Sequence, residues 1–182
     1  MSKELGDFQT PLPLVKAILT YLQTQDCLGS RVLEPTCGKG NFIRGLLSLD
    51  IPPREIQGIE LQSSYVVSAR SVAEGISQEV SRVLIHQQSI FDFDLVRDLQ
   101  WEDKGRLLIV GNPPWVTNTE LATLESDNVP QKTNLKGLKG IDALTGGSNF
   151  DIAEYIWLKL LMELSSDCLL YTSDAADDLT RV

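Results

Sequence analysis

The sequence predicts an α/β domain built on a mostly parallel, doubly wound sheet. Short apolar runs alternate with stretches of helical periodicity, a glycine-bearing turn follows the first such run, and 182 residues suffice for one domain but not two. Strands alternating with helices imply right-handed crossovers, and such a sheet takes its ligands in the crevice at the carboxyl ends of its strands. The residues that follow each strand are therefore the candidates for chemistry.

Thr10-Pro11 predicts an N-cap and first helical turn, after which Leu14, Val15, Ile18, Leu19 and Leu22 recur at helical spacing. Arg31-Val32-Leu33-Glu34 reads as a short strand, and beyond its glycine turn Phe42, Ile43, Leu46 and Leu47 form an apolar helix face. The unit repeats, with residues 55–60 as strand and residues 64–74 as helix. A third strand is expected near residues 82–86 and a fourth, the most apolar, at residues 107–110.

Residues 116–149 show no period and are rich in Thr, Asn, Gly and Lys, a connection long enough to be functional or mobile. Ser148-Asn149-Phe150-Asp151 resembles a capping box with Asp in place of Glu, opening a helix whose face carries Phe150, Ala153, Trp157, Leu160, Leu161 and Leu164. A further apolar strand would be needed next. Instead Ser165 to Tyr171 leads into the acidic Asp174-Ala175-Ala176-Asp177-Asp178, which resembles the translation of a sequencing adapter joined to a truncated gene. The expected organisation is thus a partial domain over residues 1–164, a non-native or disordered tail over residues 165–182, and a fourth strand left as an exposed edge.

Composition narrows the chemistry. The chain carries 25 acidic and 16 basic residues, a net charge of −9, with 42% apolar and 23% charged residues, the composition of an ordinary soluble globule. No apolar run approaches the ~20 residues that cross a bilayer, and the N-terminus lacks the features of a secretory signal, so a cytoplasmic protein is expected. Cys27, Cys37 and Cys168 are too few and too widely spaced for a disulfide framework or a thiolate metal site. With His86 the only imidazole, zinc chemistry and Ser-His or Cys-His catalysis lose their usual parts, and no metal is expected. The acidic balance argues against a surface that grips nucleic acid throughout, while leaving room for a local basic strip.

The strongest motif is Asn112-Pro113-Pro114-Trp115, directly after the fourth strand. Two prolines fix φ and remove two donors, leaving the Asn112 side-chain oxygen and the Pro113 carbonyl as acceptors on a stiff corner. Such a corner suits a planar NH₂ group, with the Trp115 ring as a face on which a base can stack. In isolation it also reads as a proline-stiffened loop with a core tryptophan.

The second motif runs from Glu34 through Pro35, Gly38 and Gly40 to Phe42. Its glycines allow close backbone approach, and Glu34 accepts from a cationic group while repelling phosphate. It is neither a Walker loop nor a full dinucleotide fingerprint, and alone it is an ordinary tight turn. Glu60, ending the second strand, adds a carboxylate able to accept from both ribose hydroxyls.

Together these motifs resemble the N6-adenine DNA methyltransferases of restriction-modification systems. The likeness covers about Leu5 to Leu164: residues 6–11 look like their N-terminal motif, residues 34–42 their glycine loop, Glu60 their ribose acid, residues 112–115 their catalytic tetrapeptide, and residues 148–151 a segment following it. The resemblance implies a Rossmann-like class I methyltransferase fold, incomplete because downstream strands are missing, with S-adenosylmethionine as cofactor. Gly38 and Gly40 would approach its methionine part, Glu34 and Thr10 would bind that end, and Asn112 would line both pockets. At the adenine position the family often has Asp followed by an apolar residue. Here either Ser89 stands for that Asp, with Ile90 packing the ring, or the register moves to Asp92; the Ser89 reading is preferred.

The implied reaction moves a methyl group to the N6 amine of a base-flipped adenine in DNA. No general base is required beforehand, because the proton can leave afterwards. Lys132, Lys136 and Lys139 read either as phosphate contacts or as a solvated loop, and the family's recognition domain is absent from this chain. Two rivals remain: methylation of a protein Gln or Asn amide or an RNA guanine amine, and an inactive cofactor-binding fragment.

Overall fold

The computed structural model describes residues 9–74, 80–115 and 152–164 together with the backbone of 168–172. Helix α1 (Leu12–Thr24) precedes β1 (Arg31–Glu34), α2 (Asn41–Leu47), β2 (Glu55–Glu60), α3 (Ser63–Glu74), β3 (Arg82–Gln87), β4 (Leu107–Gly111), α4 (Ile152–Leu164) and β5 (Cys168–Thr172). All four strand pairings are parallel, in the spatial order β3-β2-β1-β4-β5. Strand order reverses between β1 and β4, which opens a crevice above their carboxyl ends.

Alternation along each strand builds the two halves of the core. Val32, Ile56, Ile85, Leu108 and Val110 face α1, α2 and α3, while Leu33, Ile59, Leu107 and Ile109 meet the loop through Ile90, Phe93, Leu95 and Leu99 and the α4 stripe of Ile152, Ile156 and Leu160. Each fully buried side chain of this size contributes about 1.5–3 kcal/mol relative to exposure. Gln57 is one of the buried polar strand residues, 1% exposed, and it is satisfied: its amide donates to the Gln100 carbonyl at 3.2 Å and its oxygen lies 2.7 Å from His86 Nε2. Burial chiefly lowers the His86 pKa, so this imidazole is a neutral packing group with its edge on Phe93. At the opposite end of the sheet, buried Glu55 fastens the loop before β4. It pairs with Arg82 at 2.9 Å and accepts from the Glu102 and Asp103 backbone N–H groups.

Several expectations need correction. Pro11, not Thr10, is the N-cap of α1, because Pro11 is extended (ψ 138°) and its carbonyl accepts the first helical bond from Val15. The inward face of α4 also differs: Ile152, Tyr155 and Ile156 are buried, while Leu161 is 44% exposed. Nor is β4 a bare edge, since β5 runs alongside it in the register Leu107↔Cys168 to Gly111↔Thr172. The run Cys168-Leu169-Leu170-Tyr171 has the propensity of a strand, and backbone pairing is indifferent to the acidic residues that follow. The long segment with Lys132, Lys136 and Lys139, the 148–151 box and the remaining tail lie outside the described residues.

Among the described residues no helix is long and apolar enough to cross a membrane. Gly40, the N-cap of α2, packs closely on α3: its φ is +82°, and an added Cβ would meet the Ala69 Cα at 3.1 Å. Gly40→Ala is expected to cost about 1–3 kcal/mol in urea unfolding, through a left-handed non-glycine residue and the pressure on α3. An unchanged midpoint would show that the turn relaxes freely.

Candidate active site

The crevice at the strand ends is a cleft with walls from every part of the sheet that sequence reasoning singled out. Thr10, Glu34, Pro35, Gly38, Glu60, Ser89, Ile90, Asn112 and Pro114 all line it. The first and fourth strands meet closely there. A Cβ on Gly111 would lie 3.4 Å from Pro35 and 3.6 Å from Glu34, so the two loops carrying Glu34 and Asn112 are packed side by side.

The glycine turn is built by its neighbours. Gly38 has φ +51°, and its N–H donates to Glu60 Oε2 at 2.9 Å. The other Glu60 oxygen accepts from the Gln62 N–H at 2.7 Å, so two backbone donors orient this carboxylate at the end of β2. The chain before α1 is stapled over the turn: the Lys39 N–H donates to Gln9 Oε1 at 3.0 Å, and Asn41 Nδ2 donates to the Thr10 carbonyl at 2.8 Å.

Glu34 dominates the electrostatics. Its side chain is 3% exposed, and its Oε2 has no hydrogen-bond partner among the described residues, as is true of Thr36 Oγ1. Burial pushes its carboxyl well above the usual range, and the negative Glu60 pushes it further, while a backbone hydrogen bond with Ile43 works the other way. Burial, Glu34 and Glu60 likewise raise the Cys37 thiol, which stays protonated and is no nucleophile. Among the described residues no Lys, Arg or His lines the cleft. A buried acid with one oxygen left unpaired, among described walls that carry no cation, calls for a ligand that brings its own positive charge or N–H donors, and disfavours a phosphate.

Some expected residues sit elsewhere. Gly40 is buried against Ala69 and does not border the cleft, so its glycine serves helix packing instead of ligand approach. Asp92 is exposed on a separate depression with Arg97, Lys159 and Glu163, and its N–H donates to the Ser89 carbonyl. Of the two registers after β3, Ser89 and Ile90 are the pair at the cleft. Pro113 is buried, and Trp115, 45% exposed, is not among the lining residues; its indole N–H donates to Asn112 Oδ1 at 3.0 Å. Sequence reasoning assigned no individual site role to Gln9, Leu61, Gln62, Tyr65, Gln88, Phe91, Ile152 or Ile156, which add to the walls together with Thr36, Cys37, Asn41 and Phe42 of the glycine loop. Leu61, Gln62 and Gln88 stand just past the ends of β2 and β3, where a stricter use of the strand-end rule finds them.

No family model matches the sequence. The chain is 35% identical over 158 residues to the Type II methyltransferase M.NspV of Nostoc sp., covering 87% of this chain and 32% of that protein. This chain is a relative of the restriction-modification methyltransferases. It also matches a tRNA1(Val) (adenine(37)-N6)-methyltransferase of Yersinia pestis, 34% identical over 85 residues, covering 47% of this chain and 32% of the relative. The chain thus spans about a third of the length of these curated relatives. Among solved structures, a putative class I S-adenosylmethionine-dependent methyltransferase of Listeria monocytogenes superposes with a TM-score of 0.57 at 15% identity, over 96% of this chain and 50% of that one. A modification subunit of a putative type I restriction enzyme from Vibrio vulnificus gives 0.53 at 21% identity, over 87% and 30%. The fold is that of the Rossmann-like class I methyltransferases.

The Glu34 environment sets a sign for stability. A carboxyl raised in the folded state favours folding below its unfolded pKa, and that contribution is lost as pH rises through the folded value. Glu34→Gln is therefore expected to raise the urea midpoint of the ligand-free protein at neutral pH, with the gain vanishing by about pH 4, near the ordinary glutamate value. An equal gain at both pH values would locate the effect in packing instead of charge.

Proposed function

We propose that this chain carries the cofactor-binding and catalytic part of an S-adenosylmethionine-dependent DNA methyltransferase that modifies the N6 amine of adenine in a restriction-modification system. The observation that carries this reading is the buried Glu34 carboxyl, one oxygen of which lacks a partner, in the same cleft as Asn112, with no cation among the described lining residues. The cofactor's ammonium group fits Glu34, its ribose fits Glu60, and its adenine fits the walls at Ser89, Ile90 and Phe91. When bound, the cofactor supplies an electrophilic methyl group on a sulfonium.

The chain's own residues prepare the acceptor. An exocyclic adenine nitrogen is a poor nucleophile because its lone pair is delocalised into the ring. Asn112 Oδ1 and the Pro113 carbonyl accept its two hydrogens, hold the nitrogen in line and stabilise the positive charge that builds on it. Such positioning supplies about 7–11 kcal/mol in well-oriented model reactions. The excess proton then passes to water. Trp115, partly exposed and one residue beyond Pro114, offers the extruded base a stacking face. DNA recognition is assigned to chain beyond this one, and the reading makes the protein cytoplasmic, with no metal.

A second reading is the same chemistry on an adenine in RNA, favoured by the likeness to the tRNA adenine-N6 enzyme. Tritium-labelled S-adenosylmethionine offered with unmethylated genomic DNA, with tRNA and with a Gln-bearing release-factor protein should label the DNA. Label in tRNA or protein alone would replace the proposed substrate. Asn112→Ala should reduce turnover about 100-fold or more while leaving calorimetric cofactor binding intact. Unchanged turnover would remove the acceptor role.

A further inference from the structure

We infer that Trp115 is a positioning residue for the Asn112 amide as well as a stacking surface, an inference that rests on the function proposed above. The contact is the 3.0 Å hydrogen bond from the Trp115 indole N–H to Asn112 Oδ1. An indole nitrogen only donates, so the contact has one polarity: it selects the amide oxygen and turns the NH₂ group away. An asparagine side chain can otherwise present either end at the same place. The inverted amide would set hydrogens against the hydrogens of an incoming amine and leave the Pro113 carbonyl as the sole acceptor.

The geometry lets both contacts coexist. A carbonyl oxygen has two lone pairs; the indole takes one and leaves the other for the substrate. Asn112 and Pro114 line the cleft while Trp115 does not, and the indole is 45% exposed, so the bond is made from a side chain outside the lining. Pro113 and Pro114 fix φ at both intervening positions, which keeps residue 115 within reach of residue 112 at little entropic cost. Stacking alone asks only for an aromatic ring. Orientation of the amide asks for an N–H at this position, which a phenylalanine lacks.

The test is Trp115→Phe, which retains a ring and loses the donor. With unmethylated genomic DNA and labelled S-adenosylmethionine, kcat should fall about tenfold, with KM for DNA and the calorimetric Kd for the cofactor within about twofold. The Asn112 side-chain amide resonances in proton–nitrogen spectra should shift in the same variant. Wild-type turnover, or unmoved Asn112 resonances, would overturn the positioning role. Asn112→Ala run alongside separates the two levels: a loss there with none in Trp115→Phe removes this inference alone, whereas full turnover in Asn112→Ala removes the proposed reaction with it.

Discussion

A carboxylate withheld from water at the tip of β1 is the constraint on which the rest of the cleft depends. Burying an acid with one oxygen unpaired is unfavourable, and the structure tolerates it because Glu34 sits where strand order reverses and the backbone has already parted. Glu60, the second acid, is held by the Gly38 and Gln62 N–H groups, so it stays where its charge adds to the upward push on the Glu34 carboxyl. A residue type that packing would not choose, kept where it opposes folding, is the pattern of a binding site.

Rigidity on either side of this acid comes from the sheet. Leu33 and Ile109 are register partners in neighbouring strands, and the turns that follow them carry Glu34 and Asn112 into one cleft. Gly111 marks where the two strand ends touch, since even a Cβ there would be in van der Waals contact with Pro35 and Glu34. Because Val32 and Leu33 belong to opposite halves of the core, a one-residue slip of β1 would move Glu34 and exchange both core faces at once. The cleft geometry is therefore locked by the same alternation that makes the domain fold.

Much of this was legible because strand-end chemistry is local in sequence. Glu34, Glu60 and Asn112 each stand at or just beyond the end of an apolar run, and parallel topology brings such ends together. What eluded the sequence depends on distances it does not encode. Gly38 and Gly40 look alike, yet one faces the cleft and the other faces Ala69, a choice made by the approach of α3. Ser89 and Asp92 are separated by one turn, and the chain's path after β3 puts the less polar side chain inward. The rotation of α4 was misjudged because its hydrophobic residues encircle it, so periodicity could not choose between Ile156 and Leu161. The strand at residues 168–172 was obscured by the acidic residues after it, although its pairing depends on backbone alone.

The staple at the chain's start has a practical corollary. Gln9 and Thr10 are both cleft walls, anchored to Lys39 and Asn41, so this short stretch shapes the cleft as well as leading into α1. Trimming to the first helical residue would remove one wall and free the glycine turn beneath it.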